Sequence, residues 1–328
     1  MQTLYVSQQG CYVSLRQESL VIKQGQAVLE EVQLPLLEQV LIFGRSQMTT
    51  QAIRACLWRE IPVVYLSRLG WCYGRVLPIS RGYRQLGRYQ QELAFGERIV
   101  AARAIVLAKL KNSRVMLQRQ QRRRGTARIE AAIEQLEHLS TQVNRAVTLE
   151  VLMGLEGAGA SSYFGAFGDC LVNPEFGFVM RSRRPPADPV NALLSFGYQM
   201  LWNHLLSLIE LQGLDPHEAC LHQGSERHAA LASDLLEEFR APIVDSLVLY
   251  LVNRSVVKPE DFEYRNEGCF LNELGRKKYL RAFVGRMEEL LQTEEGMQPR
   301  WDLLMQQVKA FKRFVYSPAQ GYQPYLIR

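Results

Sequence analysis

The sequence lacks the features of a secreted or membrane-spanning protein. Its first residues contain neither a basic start nor an apolar signal core. No run approaches the roughly 18 uncharged apolar residues that a membrane-spanning helix needs. The six cysteines form no CxxC pair, so a tetrahedral zinc site is not indicated and reduced thiols are expected. These absences predict a cytoplasmic protein without a membrane segment.

The composition excludes intrinsic disorder and low-complexity scaffolds as descriptions of the whole chain. Of the 328 residues, 47% are hydrophobic and 22% are charged, which is ordinary for a folded protein. At roughly 100–200 residues per domain, this length predicts about two domains. The net charge of +6 is modest, so the distribution of the basic residues is more informative than their total.

The residue pattern changes near residue 80. Before it, short runs of β-branched, aromatic and aliphatic residues alternate with turn residues, and one helix is expected between a cap at Ser46 or Thr49 and Pro62. After it, apolar residues recur at helical spacing. The pattern predicts an α+β fold class, with a small N-terminal mainly-β domain followed by a larger all-α catalytic domain. The predicted segments are a β-rich domain at 1–80, a hinge at 81–88, a helical domain at 89–315 and an extended tail at 316–328.

A long basic segment follows the predicted hinge. Residues 98–128 contain ten Lys or Arg and no Asp or Glu. Solvated helices ordinarily interleave acidic with basic residues, so this segment favours contact with a nucleic acid. Its densest part is Arg122, Arg123 and Arg124. A plain solvated helix surface is the alternative interpretation.

A second basic cluster consists of Arg181, Arg183 and Arg184. It lies on a proline-rich loop, and the following Asp188 and Pro189 form the pattern of an N-cap and a first-turn proline. Arginines on a stiff loop before a helix suit phosphate binding. Surface arginines on a helix-entry loop are an equally simple interpretation.

Three carboxylates lie close together on a predicted helix that begins with Ser225 as its N-cap. Asp234, Glu237 and Glu238 have i, i+3 and i+4 spacing, which places them on neighbouring positions of one helix. Their mutual repulsion would be relieved by a divalent cation. The alternative is an exposed acidic face paired with Arg240.

Two further residues are candidates for the same site. Glu156 stands among glycine, alanine and leucine residues, where a carboxylate is poorly solvated and needs a partner if buried. Close helix packing with Glu156 at its rim is the alternative. His222 lies in the loop before the acidic helix and is able to fold back as a nitrogen ligand. Taken in isolation, a histidine with an ordinary polar partner is the simpler interpretation.

Four segments carry a resemblance to a known family. EGAGASSYF, RSRRPPADPVNALLSFGY, CLH and SDLLEEFR occur in this order and at these separations. Together they resemble the CRISPR-associated protein one family, the integrase and endonuclease of CRISPR adaptation, and the resemblance covers essentially the whole chain. One departure is Ala241, which separates Arg240 from Pro242.

The resemblance implies the roles of individual residues. The family's metal-binding positions fall on Glu156, His222 and Glu237, and a supporting acidic position of the catalytic site falls on Asp234. Two polar positions near the DNA complete the implied site, at Asn191 and Tyr198. Two carboxylates and one imidazole without a thiolate suit Mg²⁺ or Mn²⁺ better than zinc.

The implied function is that of a metal-dependent DNA endonuclease and integrase. It would join the 3′-OH ends of short DNA spacers to a repeat array by phosphoryl transfer. The implied partners are spacer and repeat DNA, a second copy joined through the sheet domains, and CRISPR-associated protein two as a bridge. Two alternatives stay open at this point: a metal-dependent nuclease for branched DNA in repair, and a non-catalytic DNA-binding scaffold.

Overall fold

The structure is a computed structural model, and the chain in it divides into two compact units. One is mainly β and the other mainly helical, which confirms the predicted α+β class. The units are Met1–Gly82 with Phe283–Leu303, and Tyr83–Ala282 with Leu304–Arg328. The described residues are 2–67, 72–78, 83–222, 228–293 and 296–327.

The strands and helices alternate early in the chain, and helices then predominate. The strands are β1 (Gln2–Val6), β2 (Tyr12–Arg16), β3 (Ser19–Gln24), β4 (Ala27–Gln33), β5 (Leu37–Phe43), β6 (Gln47–Met48), β7 (Val63–Leu66), β8 (Cys72–Val76), β9 (Phe262–Arg265), β10 (Gly268–Leu271), β11 (Leu290–Thr293) and β12 (Gly296–Pro299). The helices are α1 (Thr50–Trp58), α2 (Tyr83–Glu92), α3 (Phe95–Arg124), α4 (Ala127–Val143), α5 (Leu149–Phe167), α6 (Pro189–Leu211), α7 (Ala230–Leu236), α8 (Ser246–Asn253), α9 (Glu273–Glu288) and α10 (Arg300–Tyr316).

Two sheets make up most of the first unit. One has the strand order β1-β5-β7-β8, in which only the β7–β8 pair is antiparallel. The other has the order β4-β3-β2-β6. Side chains alternate across strands, and those turned inward form one apolar core that includes Leu4, Val13, Leu20 and Val40. Helix α1 packs beside them, and its cap is Thr49, whose hydroxyl accepts from the Ala52 N–H at 3.2 Å.

A segment from late in the chain belongs to the first unit, which the predicted boundaries do not anticipate. Phe283 and Trp301 each have their rings 6.4 Å from the ring of Tyr5 on β1. Aromatic rings at this distance add to the packing of a core. The predicted helical domain at 89–315 therefore includes residues that belong to the other unit, because apolar packing places residues 283–303 with the sheets.

The second unit is built around the long helix α3, whose apolar positions at helical spacing are buried as the sequence predicts. Helices α4 and α5 begin at threonine caps, and α6 begins at the predicted cap Asp188, whose side chain accepts from the Asn191 N–H at 2.8 Å. No helix in the described ranges is long and apolar enough to cross a membrane.

Two details of the second unit differ from the prediction. The described part of the hinge at 81–88 is helical, since α2 begins at Tyr83 and turns Leu86 and Gln90 into the interior. Residues 81–82 of that hinge, like Ser225, lie outside the described residues. The unit is also not purely helical, because β9 and β10 form a hairpin whose turn residues Asn266 and Glu267 have positive φ.

Candidate active site

In the second unit, two of the candidate metal ligands, Glu156 and Glu237, face the ammonium group of one lysine, Lys109. Glu156 lies in the middle of α5, Glu237 is the C-cap directly after α7, and Lys109 points from α3 to both. The Lys109 Nζ contacts Glu156 Oε1 and lies 2.6 Å from Glu237 Oε2. Both the lysine and Glu237 are buried, whereas Glu156 is partly exposed. The two carboxylates therefore face one ammonium from different helices.

Glu237 carries a charge in the interior. Burial alone would raise its pKa, but Arg240 and Lys109 outweigh that effect and hold the pKa of the Glu237 carboxyl below its ordinary value. Arg240 Nη2 lies 3.0 Å from Oε1. The other oxygen, Oε2, has its ion pair with Lys109 but no hydrogen bond of good geometry among the described residues. The two oxygens of Glu237 thus face different cations: Oε1 faces Arg240 and Oε2 faces Lys109.

Asp234 anchors the loop that carries His222. Its side chain is fully buried and accepts from the backbone N–H groups of Cys220 and Leu221, each at 2.8 Å, and of His222 at 3.0 Å. It also lies 2.7 Å from His222 Nδ1. This contact orients the imidazole and leaves Nε2 as the nitrogen for a ligand. Asp234 is therefore placed to support His222 rather than to share a cation with Glu237.

The charge of the site also acts on His222. Burial alone would lower its pKa, but Asp234 and Glu237 raise the pKa of the imidazole above its ordinary value. Among the described ranges, no three His, Cys, Asp or Glu side chains form a group ready to hold a metal ion. The structure thus contains two separate contacts. Lys109 links Glu156 to Glu237, and Asp234 contacts His222. The convergence of all three ligands on one cation stays a prediction.

Asn191 and Tyr198 occupy interior positions. Asn191 accepts from Arg181 at 2.8 Å, and the Tyr198 hydroxyl donates to Asp245, which also accepts from Tyr163. Their burial makes direct contact with DNA unfavourable, because each already has a protein partner. Both side chains contact arginines, and their predicted role in DNA binding stays a prediction.

Two arginines cover the Tyr198 ring. The guanidinium of Arg240 lies 4.7 Å from the ring centre, and that of Arg181 lies 5.6 Å from it. Because Arg240 also pairs with Glu237, the network continues from Asp245 through Tyr198 to the candidate ligand. Sequence spacing did not indicate Asp245, Tyr163 or Lys109 as part of this site.

The remaining predicted DNA contacts lie on the surface. Arg183 and Arg184 are exposed on the loop before α6, and Arg181 is half-buried beside Asn191. The other predicted contacts, Arg122, Arg123 and Arg124, are exposed at the C-terminal end of α3. Their exposure leaves them available to a polyanion.

Glu238, next to the candidate ligand, faces away from it. It accepts from the Tyr322 hydroxyl and from the Tyr325 N–H at 2.6 Å, so residues 321–327 dock on this side of α7. Burial raises the pKa of Glu238 to about 8. The alternative of an exposed acidic face is wrong, since Asp234, Glu237 and Glu238 are at most 2% exposed.

Most of the chain matches one known protein family. A model of the family described as CRISPR associated protein Cas1 matches residues 4–284. The chain belongs to this family. CRISPR-associated endonuclease Cas1 1 of Thermus thermophilus is 33% identical to this Cas1-family chain over 288 residues, which are 88% of the chain and 87% of that relative.

Two larger proteins are also similar. A CRISPR-associated exonuclease Cas4/endonuclease Cas1 fusion of Geobacter sulfurreducens is 37% identical over 297 residues, 87% of this chain, and the match spans about half (53%) of the fusion. In a solved Cas6-RT-Cas1–Cas2 complex, one chain has a TM-score of 0.81 and 25% identity over 100% of this Cas1-family chain and 36% of its own length. The family's fold is therefore present from end to end.

Proposed function

We propose that this chain is a divalent-metal-dependent DNA endonuclease and integrase of CRISPR adaptation. It joins the 3′-OH ends of short DNA spacers to a repeat array by phosphoryl transfer. The observation that carries the proposal is the meeting of Glu156 on α5 and Glu237 at the end of α7 on the ammonium of Lys109, beside His222. The relatives that bear the name endonuclease Cas1 support it.

The donor set fits a hard divalent ion. Glu156 and Glu237 offer carboxylate oxygens that converge on the Lys109 ammonium, and His222 presents Nε2. Oxygen donors with one imidazole and no thiolate favour Mg²⁺ or Mn²⁺. Such an ion, held by these three residues, would polarise the phosphodiester and orient the incoming hydroxyl.

The chain's own side chains prepare the site. Asp234 fixes the orientation of the His222 ring, and Arg240 neutralises one oxygen of Glu237 while its guanidinium rests on Tyr198. The exposed arginines at 183–184 and 122–124 bind DNA phosphates and position the duplex without reading its sequence.

The proposed assembly includes further copies and a second protein. The likeness to a chain of a Cas6-RT-Cas1–Cas2 complex supports an assembly with CRISPR-associated protein two. A homodimer of this chain joined through its β-rich unit is a further part of the proposal, which the family resemblance implies. The proposed reaction takes place in the cytoplasm, the location that the sequence predicts.

The proposal is tested by strand-transfer and cleavage assays in Mn²⁺ with the full chain. Glu156→Gln and His222→Ala are expected to lower both activities by at least about 100-fold, because each removes a metal ligand. Glu150→Gln is the matched control, since Glu150 is exposed on the same helix as Glu156.

The outcomes separate the proposal from its alternatives. Undiminished joining in the Glu156 and His222 variants would reject the assignment of the site. Cleavage of branched DNA without joining would indicate a repair nuclease. DNA binding that is unaffected by a chelator, with no product in any metal, would indicate a scaffold.

A further inference from the structure

Lys109 is an unusual residue for its position. It lies on the buried side of α3 between Ala108 and Leu110, which are at most 1% exposed, and its side chain is only 9% exposed. Lysine is almost never this buried unless its charge is paired. Here the pairing is double, because the same ammonium contacts Glu156 and Glu237.

The Lys109 ammonium is positively charged, as the proposed metal ion is, and it contacts the same two carboxylates that are proposed to bind the metal. Without a cation, two carboxylates held this close in the interior repel each other, and each lacks full solvation. A divalent ion between the same oxygens would be repelled by the ammonium at short range. The lysine and the metal ion are therefore alternative partners of Glu156 and Glu237.

We propose that Lys109 is a positioning residue, a resident counter-ion of the metal-free site. It holds Glu156 and Glu237 together until a divalent ion binds, and it leaves their oxygens when the ion enters. The inference rests on the proposed function, since it requires that these carboxylates bind metal. It assigns Lys109 two opposite effects: it stabilises the metal-free protein and weakens metal binding.

The test measures Mn²⁺ binding to the full chain, by the electron paramagnetic resonance signal of free Mn²⁺ and by calorimetry. Lys109→Met keeps the length of the side chain and removes its charge. The variant is expected to bind Mn²⁺ more than about tenfold more tightly than the natural chain, because a unit charge within a few ångströms is removed. Its metal-free form is expected to melt at a lower temperature, and Mn²⁺ is expected to raise that temperature more than in the natural chain.

Lys111→Met is the matched control, because Lys111 is exposed on the same helix. Its Mn²⁺ affinity is expected to stay within about twofold of the natural value. Equal or weaker Mn²⁺ binding by folded Lys109→Met would overturn the inference while leaving the proposed function intact. Absence of Mn²⁺ binding by the natural chain would overturn both.

A second variant covers the case in which Lys109→Met does not fold without metal. Lys109→Gln is also neutral but retains hydrogen-bond donors for the two carboxylates. If the counter-ion assignment is correct, adding Mn²⁺ during refolding restores helical circular dichroism to both variants. If Mn²⁺ restores the helical signal of neither variant, the counter-ion assignment is contradicted, because a bound metal ion should replace the missing charge.

Discussion

At the scale of single residues, three acidic side chains that are neighbours in sequence have three different tasks. Asp234 holds the loop with His222, Glu237 faces Lys109, and Glu238 accepts from Tyr322. Their i, i+3 and i+4 spacing predicts one cluster, but α7 ends at Leu236, and the N–H groups of Glu237 and Phe239 bond to carbonyls three residues earlier instead of four. Sequence spacing indicated that the carboxylates matter, whereas the helix end determined which way each one points.

A buried histidine gives a prediction at the same scale. His204 on α6 is fully buried, and burial lowers its pKa to about 3 from an ordinary value near 6.5. Because the unfolded chain binds a proton below pH 6.5 that the folded chain does not, the free energy of unfolding falls by about 1.4 kcal/mol per pH unit there. This loss begins as the pH drops through 6.5 and ends near the folded pKa.

The measurement is urea unfolding at pH 7.5 and at pH 5. Replacement of the histidine, His204→Gln, is expected to remove about 2 kcal/mol of the difference between the two pH values. His138→Gln is the control, since His138 is exposed on α4. An unchanged pH dependence in the His204 variant would show that this residue titrates normally.

At the scale of elements, the acid-free segment 98–128 has two parts with different uses. Arg98 pairs with Glu218, and Arg114 pairs with Glu137, so acidic partners come from other elements. Arg103 donates to the Ala146 carbonyl at 2.7 Å. The uninterrupted basic run therefore reflects helix packing over much of its length, and its exposed C-terminal end is left for a polyanion.

The exposed end of α3 carries a prediction about DNA. Changing Arg122, Arg123 and Arg124 together to Ala is expected to weaken binding of unrelated duplexes alike, because the affinity of arginine for phosphate does not depend on base sequence. The slope of log K against log salt is expected to shrink by about 0.9 for each phosphate that the variant no longer neutralises. Fluorescence anisotropy over a salt series measures it.

The control for that series keeps the charge. The corresponding triple change to Lys is expected to preserve most of the salt slope, because lysine also neutralises a phosphate. If the alanine variant keeps the natural slope, the three arginines are plain surface residues. A change confined to one DNA sequence would instead indicate base recognition.

At the scale of the whole chain, its last residues return to the centre of the helical unit. Asn112 on α3 donates to the Glu238 carbonyl at 2.8 Å and to the Tyr325 carbonyl at 2.9 Å, and it accepts from the Ile327 N–H. The Tyr325 ring stacks on Phe239 with 5.2 Å between centres. The tail therefore completes the interior behind the acidic helix rather than extending into solvent.

Because the tail docks in this way, the hydroxyl of Tyr322 is expected to contribute to the free energy of unfolding. Tyr322→Phe removes the donor to Glu238 and leaves part of a buried carboxyl without a partner. The free energy of unfolding is expected to fall by about 1–3 kcal/mol. Urea denaturation measures the loss, and Tyr316→Phe is the control because Tyr316 is 55% exposed. Equal stability of both variants would contradict the role of the hydroxyl.

The sequence by itself determined the α+β class, the family and the caps at Thr49 and Asp188. These depend on short-range periodicity, on capping chemistry and on motifs that can be read along the chain. It also selected Glu156, since a carboxylate among small and apolar residues needs a partner, and Glu237, as one of three crowded carboxylates.

Only the tertiary structure decided which partners those charges have. Lys109 and Glu156 are 47 residues apart in the sequence, and Glu238 and Tyr322 are 84 apart. Buried charges are stabilised by whatever the fold brings within a few ångströms, and that choice depends on helix packing rather than on local pattern. For the same reason, several residues of a basic run that resembles one DNA-binding face form ion pairs with other elements of the protein.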